Sequence, residues 1–180
     1  MDAKDLFAYT VRLRRRFLEA LQAAPPDLLE REMKTNHRSI LQTLIHVMAV
    51  EASWVREDLL GERPLSWDEF RDRYLNGAPS LQTVTSGWQE ITAGTVRYLR
   101  DNPDLQRRVE IAGSGGRGRS VTVEQILYHL VGEELIHFGE VLAMTRQLDI
   151  DLPSYFLMEV MEAGDRPWEG WIAEPTTPPA

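Results

Sequence analysis

The chain has 180 residues, 43% of them hydrophobic and 27% charged, which is ordinary for a globular domain large enough to bury a core. Its net charge of −8 argues against a nucleic-acid or anionic membrane surface as partner, because both attract basic proteins. The absence of cysteine excludes disulfides, thiolate ligands and a Cys nucleophile, so a zinc-like site must use His and carboxylate.

Two long helices are predicted in the first third of the chain. The first helix ends at Pro25-Pro26. Its apolar stripe, at helical spacing, consists of Leu6, Tyr9 or Thr10, Leu13, Phe17 and Leu21. The second begins near Asn36 or Ser39 and ends at Gly61. Its stretch "ILQTLIHVMAVEASWV" is apolar nearly all round, which predicts burial on most sides.

A short helix and a third long helix follow. The Ser66–Glu69 pair matches a capping box that opens "WDEFRDRYL". After a break at Asn76-Gly77, the long helix runs from about Ser80 to Asp101. The next residues, to Val123, change to an alternating period and contain "GSGGRGRS", which predicts a short hairpin or an extended loop.

The last long helix opens with a capping box at Thr122–Gln125 and contains "ILYHLVGEELIHFGEVLAM". Four long helices with connections of mixed length predict an all-α four-helix bundle. We expect this domain to span residues 1–165, followed by a C-terminal tail over residues 166–180. No segment has the pattern of a signal peptide or a membrane span, so a cytoplasmic location is expected.

The last helix carries a narrow polar stripe. His129, Glu133, His137 and Glu140 fall within roughly 80° of its circumference, and most of the rest is apolar. The stripe is either a solvated edge, a buried structural network or a metal site. The lack of Lys, Arg and Gln beside it favours a functional face on a cleft.

Spacing narrows the choice of ligands. Glu133 and His137 are four residues apart, so their side chains lie one helical turn apart and can share an ion. His129 and Glu133 form an equally spaced alternative pair. His46, inside "TLIHVMAVE", is either a third ligand or a hydrogen-bonded core histidine. His37 lies in the turn "KTNHRS" and is expected to be exposed.

The chain resembles the DinB-like (YfiT-like, damage-inducible) family of bacterial four-helix bundles over about residues 5–160. The resemblance rests on the N-terminal amphipathic helix, on "SILQTLIHVMAVEASWVREDLLG" with its single His, on the loop before the last helix, and on that helix itself. The last helix reads "HLVGEELIHFGE" from His129 to Glu140, which is similar to the family pattern H-x-x-x-H-x-x-x-H-R-G-[QE].

The resemblance implies a divalent-metal site with one His from the second helix and two from the last. Carried over by position, these are His46, Glu133 and His137, with Zn or Ni expected first and Mn or Fe as alternatives. Glu133 stands where the family usually has His, and Phe138 where it usually has Arg. A carboxylate can replace imidazole, because His₂Glu is an established zinc ligand set. It would also favour harder ions such as Mn or Fe.

The implied function is a metal-dependent small-molecule transferase, with a low-molecular-weight thiol as a candidate co-substrate. Glu140 or Glu51 would orient a ligand, and no catalytic residue is assigned. The alternative is a non-catalytic bundle with a degenerate metal site that dimerises or binds a partner.

Two further segments invite interpretation. The Gly-rich stretch lacks the spacing of a phosphate loop and is interpreted as a flexible turn, although Arg117 and Arg119 could meet an anionic ligand. The apolar second helix and the apolar segment "SYFLMEVMEAGDRPWEGW" predict a homodimer, the alternative being that the tail wraps its own bundle and covers the cleft.

Overall fold

The described part of the chain is a mostly helical bundle with a small two-stranded hairpin, which confirms the predicted fold class. The computed structural model describes residues 2–111, 118–153 and 157–160, without the side chains of Leu157 and Met158. In chain order the elements are α1 (Ala3–Leu21), α2 (Pro26–Glu30), α3 (Ile40–Ser53) with a π-helical continuation (Trp54–Leu59), α4 (Trp67–Tyr74), α5 (Leu81–Asp101), β1 (Arg108–Ile111), β2 (Arg119–Thr122), α6 (Val123–Gln147) and α7 (Leu157–Val160). The predicted domain boundary at residue 165, Trp168 and Trp171 lie outside the described residues.

The helix boundaries follow from local capping chemistry. Ser66 and Thr122 each form the predicted capping box, in which the side chains at the N-cap and three residues later bond each other's backbone N–H. Ser39, and not Asn36, caps α3 by accepting the backbone N–H of Gln42. Gly61 follows the π-helical turn with φ +67°, a left-handed conformation that glycine adopts without strain and that ends the helix.

Apolar packing joins the four long helices. α6 packs against α1 and α3, and α5 packs against α3. The largest fully buried side chains include Trp88, Phe7, Phe17, Leu13 and Met48. No helix in the described part of the chain is both long enough and apolar enough to cross a membrane.

A charged network crosses this core. Arg14 of α1 donates to both carboxylate oxygens of Glu134 on α6, at 2.6 and 2.8 Å, and lies 3.0 Å from Glu51 of α3. Glu51 also accepts hydrogen bonds from the Trp88 indole and the Thr95 hydroxyl of α5, both at 2.8 Å. The network therefore connects all four long helices, and Glu51 serves it instead of orienting a metal ligand.

The predicted hairpin positions the start of α6. β1 and β2 pair antiparallel, with Val109 opposite Val121. The backbone N–H of Val123 donates to the carbonyl of Arg107 at 3.1 Å, which joins the first residue of α6 to the segment before β1. Arg119 is exposed in β2, whereas residues 112–117, including Arg117, lie outside the described part.

Candidate metal centre

The polar stripe of α6 faces α3 and the turn that precedes it. The exposed fraction of its side chains falls from 42% at His129 to 29% at Glu133 and 9% at His137. The interpretation as a solvated edge therefore fits only the His129 end. The remainder of the stripe is a partly enclosed polar site between two helices.

The turn before α3 brings a histidine that the sequence did not assign to the site. The expectation that His37 is exposed is wrong, because its ring stacks on the His46 ring at a centroid distance of 4.0 Å and it is only partly accessible. Arg38 turns the chain with φ +67°, in the left-handed region that costs a non-glycine residue about 1–2 kcal/mol. The Asn36 amide donates to Glu140 at 3.0 Å, so the turn is also fastened to α6.

Three histidines thus converge from three segments. The His137 ring lies edge-on to the His46 ring at 4.8 Å and to the His37 ring at 5.0 Å. One ring nitrogen from each histidine lies within 4.8 Å of the other two. Among the described residues, this is the group of His, Asp and Glu donors that is close enough for a metal ion.

The predicted ligand Glu133 borders the cluster. Its Oε2 lies 3.4 Å from His137 Nε2 and 4.0 Å from His46 Nε2. The three residues that the family resemblance implied as ligands, His46, Glu133 and His137, therefore lie close together. The other carboxylate oxygen of Glu133, Oε1, lies 3.9 Å from His129 Nε2, so Glu133 separates His129 from the three-histidine cluster.

Glu140 orients His137. Its Oε2 is 2.8 Å from His137 Nδ1, and its Oε1 accepts the Asn36 amide. When Nδ1 carries the proton, the lone pair is on Nε2, the nitrogen nearer Glu133. A carboxylate that fixes the tautomer in this way is the usual partner of a metal-binding histidine.

The surroundings of His46 favour its uncharged imidazole form. Burial lowers the pKa of His46 below its ordinary value of 6.5, and the neighbouring His37 and His137 lower it further. Glu133 and Glu140 act in the opposite direction but do not outweigh these effects. A histidine binds a metal ion only as the neutral ring, so this environment suits a ligand.

Two residues of the motif have other roles. Phe138, which replaces the Arg of the family pattern, is buried and stacks on Phe17 of α1 with ring centroids 5.1 Å apart. It therefore belongs to the core and not to the site. His129 packs against the Trp54 ring at 4.7 Å, at the exposed end of the stripe.

Comparisons with known proteins agree with this architecture. A family model described as the DinB family matches residues 1–158. The crystal structure of a DinB-like protein from Bacillus cereus ATCC 10987 is similar with a TM-score of 0.58, over 81% of this chain and 92% of that chain. The two sequences are 16% identical, so this likeness concerns the fold. No curated protein matches the chain.

Proposed function

This chain belongs to the DinB family, and we propose that it is a divalent-metal-binding member that acts as a metal-dependent small-molecule transferase in the cytoplasm. Its co-substrate would be a low-molecular-weight thiol. The observation that carries the proposal is the convergence of His37, His46 and His137 beside the Glu133 carboxylate.

The donor atoms are ring nitrogens of the kind that bind zinc. Nitrogen ligands lie about 2.0–2.1 Å from zinc, so two nitrogens on one tetrahedral ion are about 3.4 Å apart. The three ring nitrogens lie within 4.8 Å of one another, so side-chain movements would have to shorten the longest separation by at most about 1.4 Å to place all three on one ion. Three imidazoles favour Zn or Ni, whereas participation of Glu133 would favour Mn or Fe.

The surrounding residues match the needs of a catalytic centre. Three histidines leave a coordination position open, and an ion held by them would act as a Lewis acid toward a thiol or a carbonyl substrate. Glu133 Oε2, which faces His137 and His46, would serve as a fourth ligand or accept a proton from a thiol co-substrate. Glu140 lies within hydrogen-bond distance of His137 Nδ1, and burial lowers the pKa of His46.

The ligand assignment can be tested by titrating Zn²⁺ and Ni²⁺ into metal-stripped, tag-free protein in a calorimeter. We expect one ion per chain, and we expect His37→Ala, His46→Ala and His137→Ala each to weaken binding by more than tenfold. His129→Ala is the matched control, since this histidine lies outside the cluster, and it should bind as tightly as the parent.

The same titration separates the proposal from its rival. A stoichiometry near zero in the parent protein would favour a non-catalytic bundle with a degenerate site. Unchanged affinity in His37→Ala would remove that residue from the ligand set and return the assignment to His46, Glu133 and His137. Glu140→Ala should weaken binding by about 10- to 100-fold, the usual effect of losing the partner of a metal-binding histidine.

A further inference from the structure

An open cleft lies beside the histidine cluster. Its volume is about 750 Å³, within the range of about 300–1,000 Å³ that is typical of small-molecule sites. Its walls come from the outer face of α3, the end of α2, the start of α4 and the loop before α5.

His46 connects the cleft to the cluster. On α3 it shares one helix face with Gln42 and Ala49, and all three line the cleft. The same His46 ring packs against His37 and His137. A ligand in the cleft is therefore in contact with a member of the proposed metal site.

The walls of the cleft favour an uncharged, apolar ligand. Leu41, Ile45, Ala49 and Pro79 supply aliphatic surface. No Lys or Arg is among the described residues that line the cleft, and Glu30 is its acidic member. A phosphate or another polyanionic group would find no basic partner on these walls.

Trp67 adds a planar aromatic surface. It is the first residue of α4 and stacks on Phe70 with ring centroids 5.6 Å apart and the ring planes inclined by 19°. Its side chain also lines the cleft, yet the residue is 52% exposed. An exposed Trp that stacks on a second ring offers a planar aromatic face on which a flat ligand can stack.

We infer that this cleft is the substrate pocket of the proposed transferase, and that it takes a neutral planar aromatic compound. The ring would stack on Trp67, and one polar substituent would reach the metal site past His46. This inference rests on the proposed function, because the substituent needs the ion.

Three small probes test it. Benzohydroxamate carries a ring and a metal-chelating group, acetohydroxamate carries the chelating group alone, and benzamide carries the ring alone. With metal-loaded protein, calorimetry should show that benzohydroxamate binds more tightly than acetohydroxamate. Trp67→Ala should weaken the binding of benzohydroxamate by about 2- to 12-fold, which is the effect of losing one aromatic contact of about 0.5–1.5 kcal/mol. The affinity for acetohydroxamate should not change.

Tyr128→Ala is the matched control, because Tyr128 is similarly exposed but does not line the cleft. Equal affinity for the two hydroxamates, or a ring preference that survives Trp67→Ala, would overturn the inference. If neither hydroxamate responds to metal, the proposed function fails instead. Benzamide then tests the cleft without a metal ion. Its saturation-transfer NMR signal should depend on Trp67, and the lack of any signal would refute an aromatic pocket.

Discussion

Replacing Arg14 by Met should destabilise the bundle far more than any surface charge change on the same helix. Met keeps the apolar stem of the side chain but removes the guanidinium that lies between Glu51 and Glu134. Burial by itself lowers the pKa of Arg14, but the Glu134 and Glu51 carboxylates raise it more, so it lies above its ordinary value. The guanidinium also lies 3.9 Å from the centroid of the Trp88 ring.

The magnitude follows from burial. Glu51 and Glu134 have side chains only 3% and 2% exposed, so without Arg14 two carboxylates remain in the core with no cation. Breaking a buried pair in this way costs about 3–5 kcal/mol. For a domain of this size, each kcal/mol shifts Tm by about 2–4 °C, so Tm should fall by about 6–20 °C.

Urea unfolding at neutral pH, followed by circular dichroism, measures the loss. The matched control is Arg15→Met, one residue along α1, whose 3.6 Å pair with Glu19 is 74% and 64% exposed. Such a pair contributes about 0–1 kcal/mol. Arg14→Lys should fall between the two, because it retains the charge but not the two-pronged contact with Glu134. If Arg14→Met and Arg15→Met lose the same stability, the network does not hold the helices together.

Three further predictions concern packing, ligand choice and assembly. Gly87→Ala should destabilise the protein by about 1–3 kcal/mol, because a Cβ there would lie 2.3 Å from the Tyr74 carbonyl oxygen. On the same helix, a Cβ at Gly94 would point into open space, so Gly94→Ala should stabilise the protein by about 0.5–1 kcal/mol. Thermal melts of the Gly87→Ala and Gly94→Ala variants compare the two effects. Glu133→His should raise the affinity for Ni or Zn in calorimetry by adding an imidazole, and unchanged affinity in a folded variant would mean that Glu133 does not face the ion. Light scattering at micromolar concentration should show a homodimer. Ile136 lies on the exposed apolar face of α6 and is 67% accessible, so Ile136→Glu should shift the protein toward the 20.6 kDa monomer. A parent protein that is monomeric at every concentration would contradict this prediction.

The helices were predictable because their signals are local. Ser66 and Thr122 fix helix starts through side chains three residues away, and the period of apolar residues gives the buried faces. The i, i+4 spacing of Glu133 and His137 likewise depends only on helix geometry. These features do not require knowledge of the tertiary fold.

The third histidine depends on long-range contacts and was missed for that reason. The position of His37 is set by the left-handed backbone of Arg38 and by the bond from Asn36 to Glu140, more than 100 residues away. A turn rich in polar residues normally indicates exposure. The useful sign was that such a turn directly precedes the helix that carries His46.

The buried cation was missed for a similar reason. Arg14 lies in the basic run "RLRRR", which suggests a solvated face. It is nevertheless four residues after the buried Thr10 and three before the buried Phe17, which places it on the inward stripe of α1. Helical position, and not residue type, was the better guide to its burial.

We propose that three histidines of this chain bind one divalent ion. X-ray absorption spectroscopy of zinc-loaded, tag-free protein tests it directly, because imidazole rings give a distinctive multiple-scattering pattern. We expect one zinc per chain with three imidazole nitrogens at about 2.0–2.1 Å, and the loss of one imidazole in His37→Ala. A spectrum without imidazole scattering, or zinc far below one per chain under metal-replete conditions, would contradict the account.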